Sequence, residues 1–231
     1  MDLDELRKKL IEIKNKGFIK ANRTSDTGIG KTLEDLLGIC ENNLAIPDAG
    51  QFEIKSKRIE SDSMLTLATK SPLPRGINKK LYEAFRYKND EGNYCLHSTT
   101  YSSRSNPQGF KISLIESKIV LENRNNIQAY WHLSIFEDVL VSKSNNILLI
   151  FAKSKGKSPN EYFHYTEAYL LSDLNFTKFQ EAIKNDKLLV DIRIGTYKTG
   201  KRQGKYHDHG TAFRIHKRDF TELYKNYTQI I

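Results

Sequence analysis

Within its first sixty residues the chain changes hydrophobic period from that of a helix to that of a strand, which predicts an α/β class (α+β, mixed sheet). Leu3, Leu6, Leu10, Ile11 and Ile13 share one helical stripe, with Asp2 as N-cap and Gly17 as the stop. Leu33, Leu36, Leu37 and Cys40 repeat that spacing after the polar turn at residues 24–28, and Gly38 with the Glu41-Asn42-Asn43 turn ends this second helix. Gln51-Phe52-Glu53-Ile54-Lys55-Ser56 then alternates. In a strand, Phe52 and Ile54 would face one way and Glu53 and Lys55 the other.

The two periods keep trading places. Residues 64–69 read as a strand, and Pro72 and Pro74 break the chain before a helix carrying Ile77, Leu81 and Phe85. A polar loop covers residues 98–109, and residues 110–115 and 118–122 read as a hairpin. Residues 131–141 read as a helix with Leu133, Phe136, Val139 and Leu140 inward, and residues 147–152 are an apolar run of strand length. Next come a strand near 163–171, a helix near 177–184, a strand at 188–194, a Gly- and Lys-rich turn, a strand at 211–215 and a final helix. There is no internal repeat or low-complexity linker.

A chain of 231 residues with 38% hydrophobic and 28% charged content can build one sizeable core or two lobes sharing a sheet. Its 37 Lys+Arg against 28 Asp+Glu leave a formal charge of +9, which favours a polyanionic partner but does not identify one. The two cysteines, Cys40 and Cys95, form no CxxC pair and read as buried small hydrophobes. No apolar stretch has the length of a signal-peptide core or a membrane span, so no membrane partner and a cytoplasmic location are expected.

Gly30-Lys31-Thr32 imitates the end of a phosphate-binding loop, but the first glycine of that motif would fall on Ser25, so nucleoside triphosphate binding is rejected. Gly28 and Gly30 instead turn the chain into a helix beginning near Lys31, where exposed amides and the lysine could meet a DNA phosphate. Pro47-Asp48, a four-residue spacer and Glu53-Ile54-Lys55 carry more chemistry. Glu53 and Lys55 project from one side of a strand, and Asp48 at the preceding turn can converge on the same point. Two carboxylates suit a hard Mg²⁺ ion beside a phosphate, and the ammonium can position the attacking water and offset charge on phosphorus. That is the equipment of phosphodiester hydrolysis.

The stretches Thr27-Gly28-Ile29-Gly30-Lys31-Thr32-Leu33-Glu34-Asp35-Leu36-Leu37-Gly38, Ile46-Pro47-Asp48 through Glu53-Ile54-Lys55-Ser56-Lys57-Arg58, and Leu65-Thr66-Leu67 resemble the MvaI/BcnI restriction endonucleases, themselves similar to the mismatch-repair nicking enzyme MutH. The resemblance implies a PD-(D/E)xK nuclease fold, Mg²⁺ dependence, two lobes around DNA, and Glu34 as a further acid near the metal. It also implies a target of the CC-N-GG kind, a monomer that cuts one strand at a time, and a cognate methyltransferase in the cell. Asp191-Ile192-Arg193 and Gly210-Thr211-Ala212-Phe213-Arg214 look like the family's recognition segment.

That segment is also legible from its chemistry. Asp191 and Arg193 share a strand face and Arg214 can join them from a neighbouring strand; arginine forks match guanine O6 and N7, and a carboxylate accepts from a cytosine amino group. Lys201, Arg202 and Lys205 in the intervening loop suit phosphates. His207 and His209 could bind metal, but without further ligands base or phosphate contact is the better reading; His97, His132, His164 and His216 receive no role. The expected organisation is a catalytic lobe over 1–150 and a DNA-recognition lobe over 151–231, acting on double-stranded DNA. Two alternatives stay open: a MutH-like repair nickase, and a DNA-binding module without a working catalytic centre.

Overall fold

A computed structural model describes residues 1–24, 27–39 and 47–231, with backbone alone for 139 and 141–143. Helix α1 (Leu3–Asn15) opens where the Asp2 carboxylate accepts the Glu5 N–H at 2.8 Å, and it buries Leu6, Leu10 and Ile13 while Ile11 turns outward. A short strand β1 (Ile19–Lys20) leads to α2 (Gly28–Leu37), which ends at Gly38 in the left-handed conformation. Cys40 and the expected turn at 41–43 lie outside the described residues. Strands β2 (Glu53–Arg58) and β3 (Leu65–Thr69) and helix α3 (Ile77–Phe85) follow as read.

Two strands then depart from expectation: β4 (Tyr87–Lys88) and β5 (Tyr94–Thr100), the second running through the start of the expected loop at 98. The inward face of β5 is Leu96, Ser98 and Thr100, so a polar sequence lines a buried face and hides the period. Thr100 Oγ1 donates to the Val190 carbonyl and Asn106 Nδ2 to Ser98 Oγ, which makes that burial tolerable. Strands β6 (Lys111–Ile115) and β7 (Lys118–Glu122) form the expected hairpin. Trp131 belongs to β8 (Tyr130–His132) rather than to helix α4 (Leu133–Ser144), because its neighbour Tyr130 bridges Leu73 and its own indole N–H reaches the Lys70 carbonyl at 2.9 Å.

The remaining elements are β9 (Asn146–Lys155), β10 (Tyr162–Leu174), α5 (Phe176–Lys184), β11 (Leu188–Thr196), β12 (Tyr206–Asp208), β13 (Ala212–Ile215), the one-turn α6 (Lys217–Phe220), a 3₁₀ turn (Thr221–Leu223) and β14 (Tyr224–Gln229). The expected final helix is thus a single turn followed by a strand. Its register against β10, with Leu171 opposite Tyr227, gives those residues a ladder that an isolated helix would lack.

The chain forms two compact units, each from separated segments: unit 1 comprises Met1–Ser63, Val139–Asn175 and Thr221–Ile231, and unit 2 comprises Met64–Asp138 and Phe176–Phe220. They do not follow the expected cut at 150/151, because β9 and β10 on either side of it are paired from Asn146 opposite Ser172 to Lys155 opposite Tyr162. Unit 1 holds a mixed sheet in the order β1-β10-β9-β2, with β14 on β10 and β2 parallel to β9. Leu6, Leu10 and Ile13 of α1 and Ile29, Leu33 and Leu37 of α2 cover one face of that sheet, meeting Ile54, Leu148, Ile150, Phe163 and Tyr165. Each such side chain stabilises by roughly 1.5–3 kcal/mol, so this packing fixes which face of β2 is left for Glu53 and Lys55.

Unit 2 holds a sheet in the order β3-β13-β11-β5-β4, with β12 also on β11, and a separate three-stranded sheet β6-β7-β8. Its core centres on Phe213, which meets Trp131 edge-on at 5.3 Å and Phe136 at 4.3 Å between ring centroids. Among the described residues no helix is long and apolar enough to cross a membrane.

Candidate active site

The four-residue spacer after Asp48 has a structural reason. Ala49 and Phe52 bridge each other through paired backbone hydrogen bonds of 2.9 and 3.1 Å, so Gly50 and Gln51 form the tip of a tight reversal. Gly50 has φ +66, and a Cβ there would lie 3.1 Å from the Met1 carbonyl, so the tip suits glycine twice over. One step back from the bridge on each side stand Asp48 and Glu53. Asp48 Oδ2 accepts the Ile54 N–H at 3.0 Å, which pins the half-buried carboxylate to the first turn of β2.

Glu53 is 5% exposed, and its Oε1 receives Lys55 Nζ at 2.8 Å. Register places Glu53 and Lys55 beside Ile147 and Leu149 of β9, on the sheet face away from α1 and α2. The Tyr224 hydroxyl donates to the Ser144 carbonyl at 3.0 Å, and burial, then the charge of Glu53, push this phenol far above its usual range. Asp48 is thus held on the Ile54 N–H, and Lys55 on Glu53, at the start of β2.

Glu34 arrives differently. It sits on α2, and a Cβ at Gly30 would lie 4.0 Å from its Oε1 and 3.6 Å from Ser56 Oγ of β2. Lys31 is engaged by Asp35 one helical turn on, with Nζ 3.0 Å from Oδ1; hydrogen bonds from Asn22 and then Lys31 hold the Asp35 carboxyl below its usual range.

The second group lies in unit 2, on the central strand β11. Asp191 faces Thr99 on β5 and Ala212 on β13, while Arg214 stands opposite Leu189, so Asp191, Arg193 and Arg214 share one face. Arg214 Nη1 is 2.7 Å from Asp191 Oδ2, and its Nη2 donates to the Met64 carbonyl at 3.1 Å. The other carboxylate oxygen of Asp191, 6% exposed overall, is buried without a hydrogen-bond partner among the described residues, as is Arg214 Nε. Burial first, and then the charge of Arg214, press against the charged form of Arg193. These groups line a cavity of about 530 Å³ with His97, Ser98, Thr99, Ile192 and His209.

Gly210 shapes one wall. With φ +83, and with Thr69 Cγ2 2.5 Å from where a Cβ would be, it lets β13 approach β3 and offers its carbonyl to Arg193 Nε at 3.4 Å. His207 on β12 stacks on Tyr197 at 4.1 Å, and His209 packs against His207 at 4.0 Å. Burial, then the charges of His207, His97 and Arg193, hold the His209 imidazole below its usual pKa. Lys201, Arg202 and Lys205 are exposed on the loop before β12, where Arg202 lies 5.8 Å over Tyr197. Sequence reasoning missed His97 and Thr99 of the pocket. The only available signal was the Thr-Thr-Tyr stretch at 99–101, which favours a strand, and the polar inner face of β5 conceals it.

The comparisons with known proteins make the chain a type II site-specific endonuclease. The chain belongs to the MvaI/BcnI restriction endonuclease family, whose model matches residues 7–224. Its fold is similar to that of the restriction endonuclease MvaI in complex with cognate DNA, at 35% identity over 100% of both chains with a TM-score of 0.88. Against MvaI in the absence of DNA the identity is again 35%, over 100% of this chain and 99% of the other, with a TM-score of 0.59. Comparison with curated protein sequences gives no match.

Proposed function

We propose that the chain hydrolyses double-stranded DNA at a short, near-palindromic, G·C-rich sequence of the CC-N-GG kind. The reaction would depend on Mg²⁺ and be carried out by a single subunit that cuts one strand per binding event. The observation that carries this reading is the placing at the start of β2 of both Asp48, on the Ile54 N–H, and the Glu53–Lys55 pair. Asp48 and Glu53 offer oxygen donors of the hard kind that Mg²⁺ takes, one fixed by a backbone N–H and the other held on Lys55. Asp48 and Glu53 would hold a divalent cation, which would supply Lewis-acid polarisation of the scissile phosphate and make the attacking water more acidic.

The chain's own residues do the rest. Lys55, 19% exposed at its side chain and tethered to Glu53, orients the attacking water and opposes the charge that grows on the phosphoryl oxygens. As water attacks phosphorus, one P–O ester bond breaks and the strand is nicked. Glu34, on α2, adds a negative charge that helps retain the cation. Arg193 and Arg214 read guanine O6 and N7, and the unbonded Asp191 oxygen accepts from a cytosine amino group. Lys31, Lys201, Arg202 and Lys205, with His207 and His209, make the phosphate and remaining base contacts. A cognate methyltransferase would protect the host's own sites.

Plasmid digestion tests this reading. With Mg²⁺, supercoiled plasmid carrying the site should pass through an open-circular intermediate before it becomes linear. Linear product without that intermediate contradicts one-strand-at-a-time cutting, and no product in Mg²⁺ contradicts the proposal as a whole.

A further inference from the structure

Unit 2 carries a second concentration of positive charge outside the pocket of Asp191, Arg193 and Arg214. Arg86 terminates α3, with its N–H on the Tyr82 carbonyl at 2.9 Å, and its guanidinium lies 4.4 Å from the Tyr94 ring centroid and 5.6 Å from that of Tyr82. Arg124, in the turn between β7 and β8, lies 5.4 Å over Phe85. Its stem runs so close to Gly109 that a Cβ there would come within 3.6 Å of it. Both arginines line one open cavity of about 360 Å³ with Phe85, Tyr87, Pro107 and Gln108. Neither guanidinium is paired with a carboxylate among the described residues.

A guanidinium held over an aromatic ring still has N–H donors to offer, and two guanidiniums on one cavity suit a phosphate group. Position selects whose phosphate it is. Tyr87 lines this cavity and donates its hydroxyl to the His97 carbonyl at 3.4 Å. His97 in turn stands opposite Arg193 and lines the larger pocket. The linings of the two cavities are therefore joined at β4 and β5, and a duplex read in the larger one has a backbone that continues beyond it.

We infer that Arg86 and Arg124 hold a backbone phosphate of the DNA outside the base pairs read in the pocket, a contact that adds affinity without adding sequence information. This rests on the base-reading role proposed above for Asp191, Arg193 and Arg214.

The test is equilibrium binding, with Ca²⁺ replacing Mg²⁺, of wild-type protein and the Arg86→Ala/Arg124→Ala double variant to two duplexes. One duplex stops at the end of the recognised sequence, and the other extends about one helical turn further at each end. The double variant should bind the long duplex about tenfold more weakly and the short one unchanged, with its slope of log K against log salt reduced by about one per lost phosphate contact. The Arg86→Lys/Arg124→Lys variant, which keeps the charge, should retain the slope. Wild-type affinity of the alanine variant for the long duplex, or an equal loss on both lengths, overturns the inference. A scrambled-site duplex is measured in parallel. If wild-type protein does not discriminate against it, the base-reading role falls and takes this inference with it; discrimination without a length effect removes the phosphate contact alone.

Discussion

At the scale of single residues, the proposed catalytic group is the most legible part of the chain. A four-residue spacer closed by Gly50 has few ways to fold other than a tight reversal, and the Ala49–Phe52 bridge brings Asp48 back beside Glu53. Alternation then places Lys55 next to Glu53. Glu34 was less legible, since the period of a helix tells which residues face the core but not where a half-buried carboxylate at its margin reaches. Lys55→Ala should lower cleavage at least about a hundredfold while leaving DNA affinity near wild type, as measured by single-turnover cutting and by binding in Ca²⁺. Glu34→Gln should slow cutting by less than Asp48→Asn or Glu53→Gln. In the pocket, Asp191→Asn removes the carboxylate that Arg214 leans on, and the preference for G·C pairs should fall by roughly ten- to a hundredfold in cleavage of single-substituted sites.

At the scale of elements, what the sequence conceals is burial of polar side chains. β5 escapes because its inner face carries Ser98 and Thr100, and β14 because Tyr-Lys-Asn-Tyr-Thr-Gln has no alternating apolar face and is a strand only through pairing with β10. Elements with apolar periodicity, namely α1, α2, β2 and the β6–β7 hairpin, come through almost as read. The turn into β13 depends on Gly210. Gly210→Ala forces a β-carbon into a positive-φ backbone and against Thr69, and should cost about 1–2 kcal/mol in urea unfolding, with part recovered by adding Thr69→Ser. The histidines at the end of β12 give a pH signature. The folded His209 has a lowered pKa, so the unfolded chain binds the proton first. Its contribution to stability is complete above the ordinary histidine pKa of 6.5 and is lost as pH falls through the lowered folded value. Tm should therefore fall less steeply below neutral pH in His209→Gln than in the wild type.

At the scale of the molecule, the two proposed activities separate cleanly by unit although the chain does not. Asp48, Glu53, Lys55 and Glu34 belong to unit 1, while Asp191, Arg193 and Arg214 belong to unit 2, and each unit is assembled from separated segments. A cut near residue 150 was the natural expectation from a chain whose catalytic motif is early and recognition segment late, but pairing of β9 with β10 and β14 draws later segments back to unit 1. With a formal charge of +9, affinity for DNA should fall steeply with salt for any sequence, whereas the ratio between specific and non-specific sites should change much less. In the proposed function one chain joins a metal-dependent phosphodiester-cutting centre to a G·C-reading face. Sequencing the ends left on a plasmid digested by the purified chain in Mg²⁺ tests it most directly. Breaks should be confined to one short G·C-rich sequence and absent when Mg²⁺ is chelated; breaks scattered without sequence preference, or none at all, would rule the proposed function out.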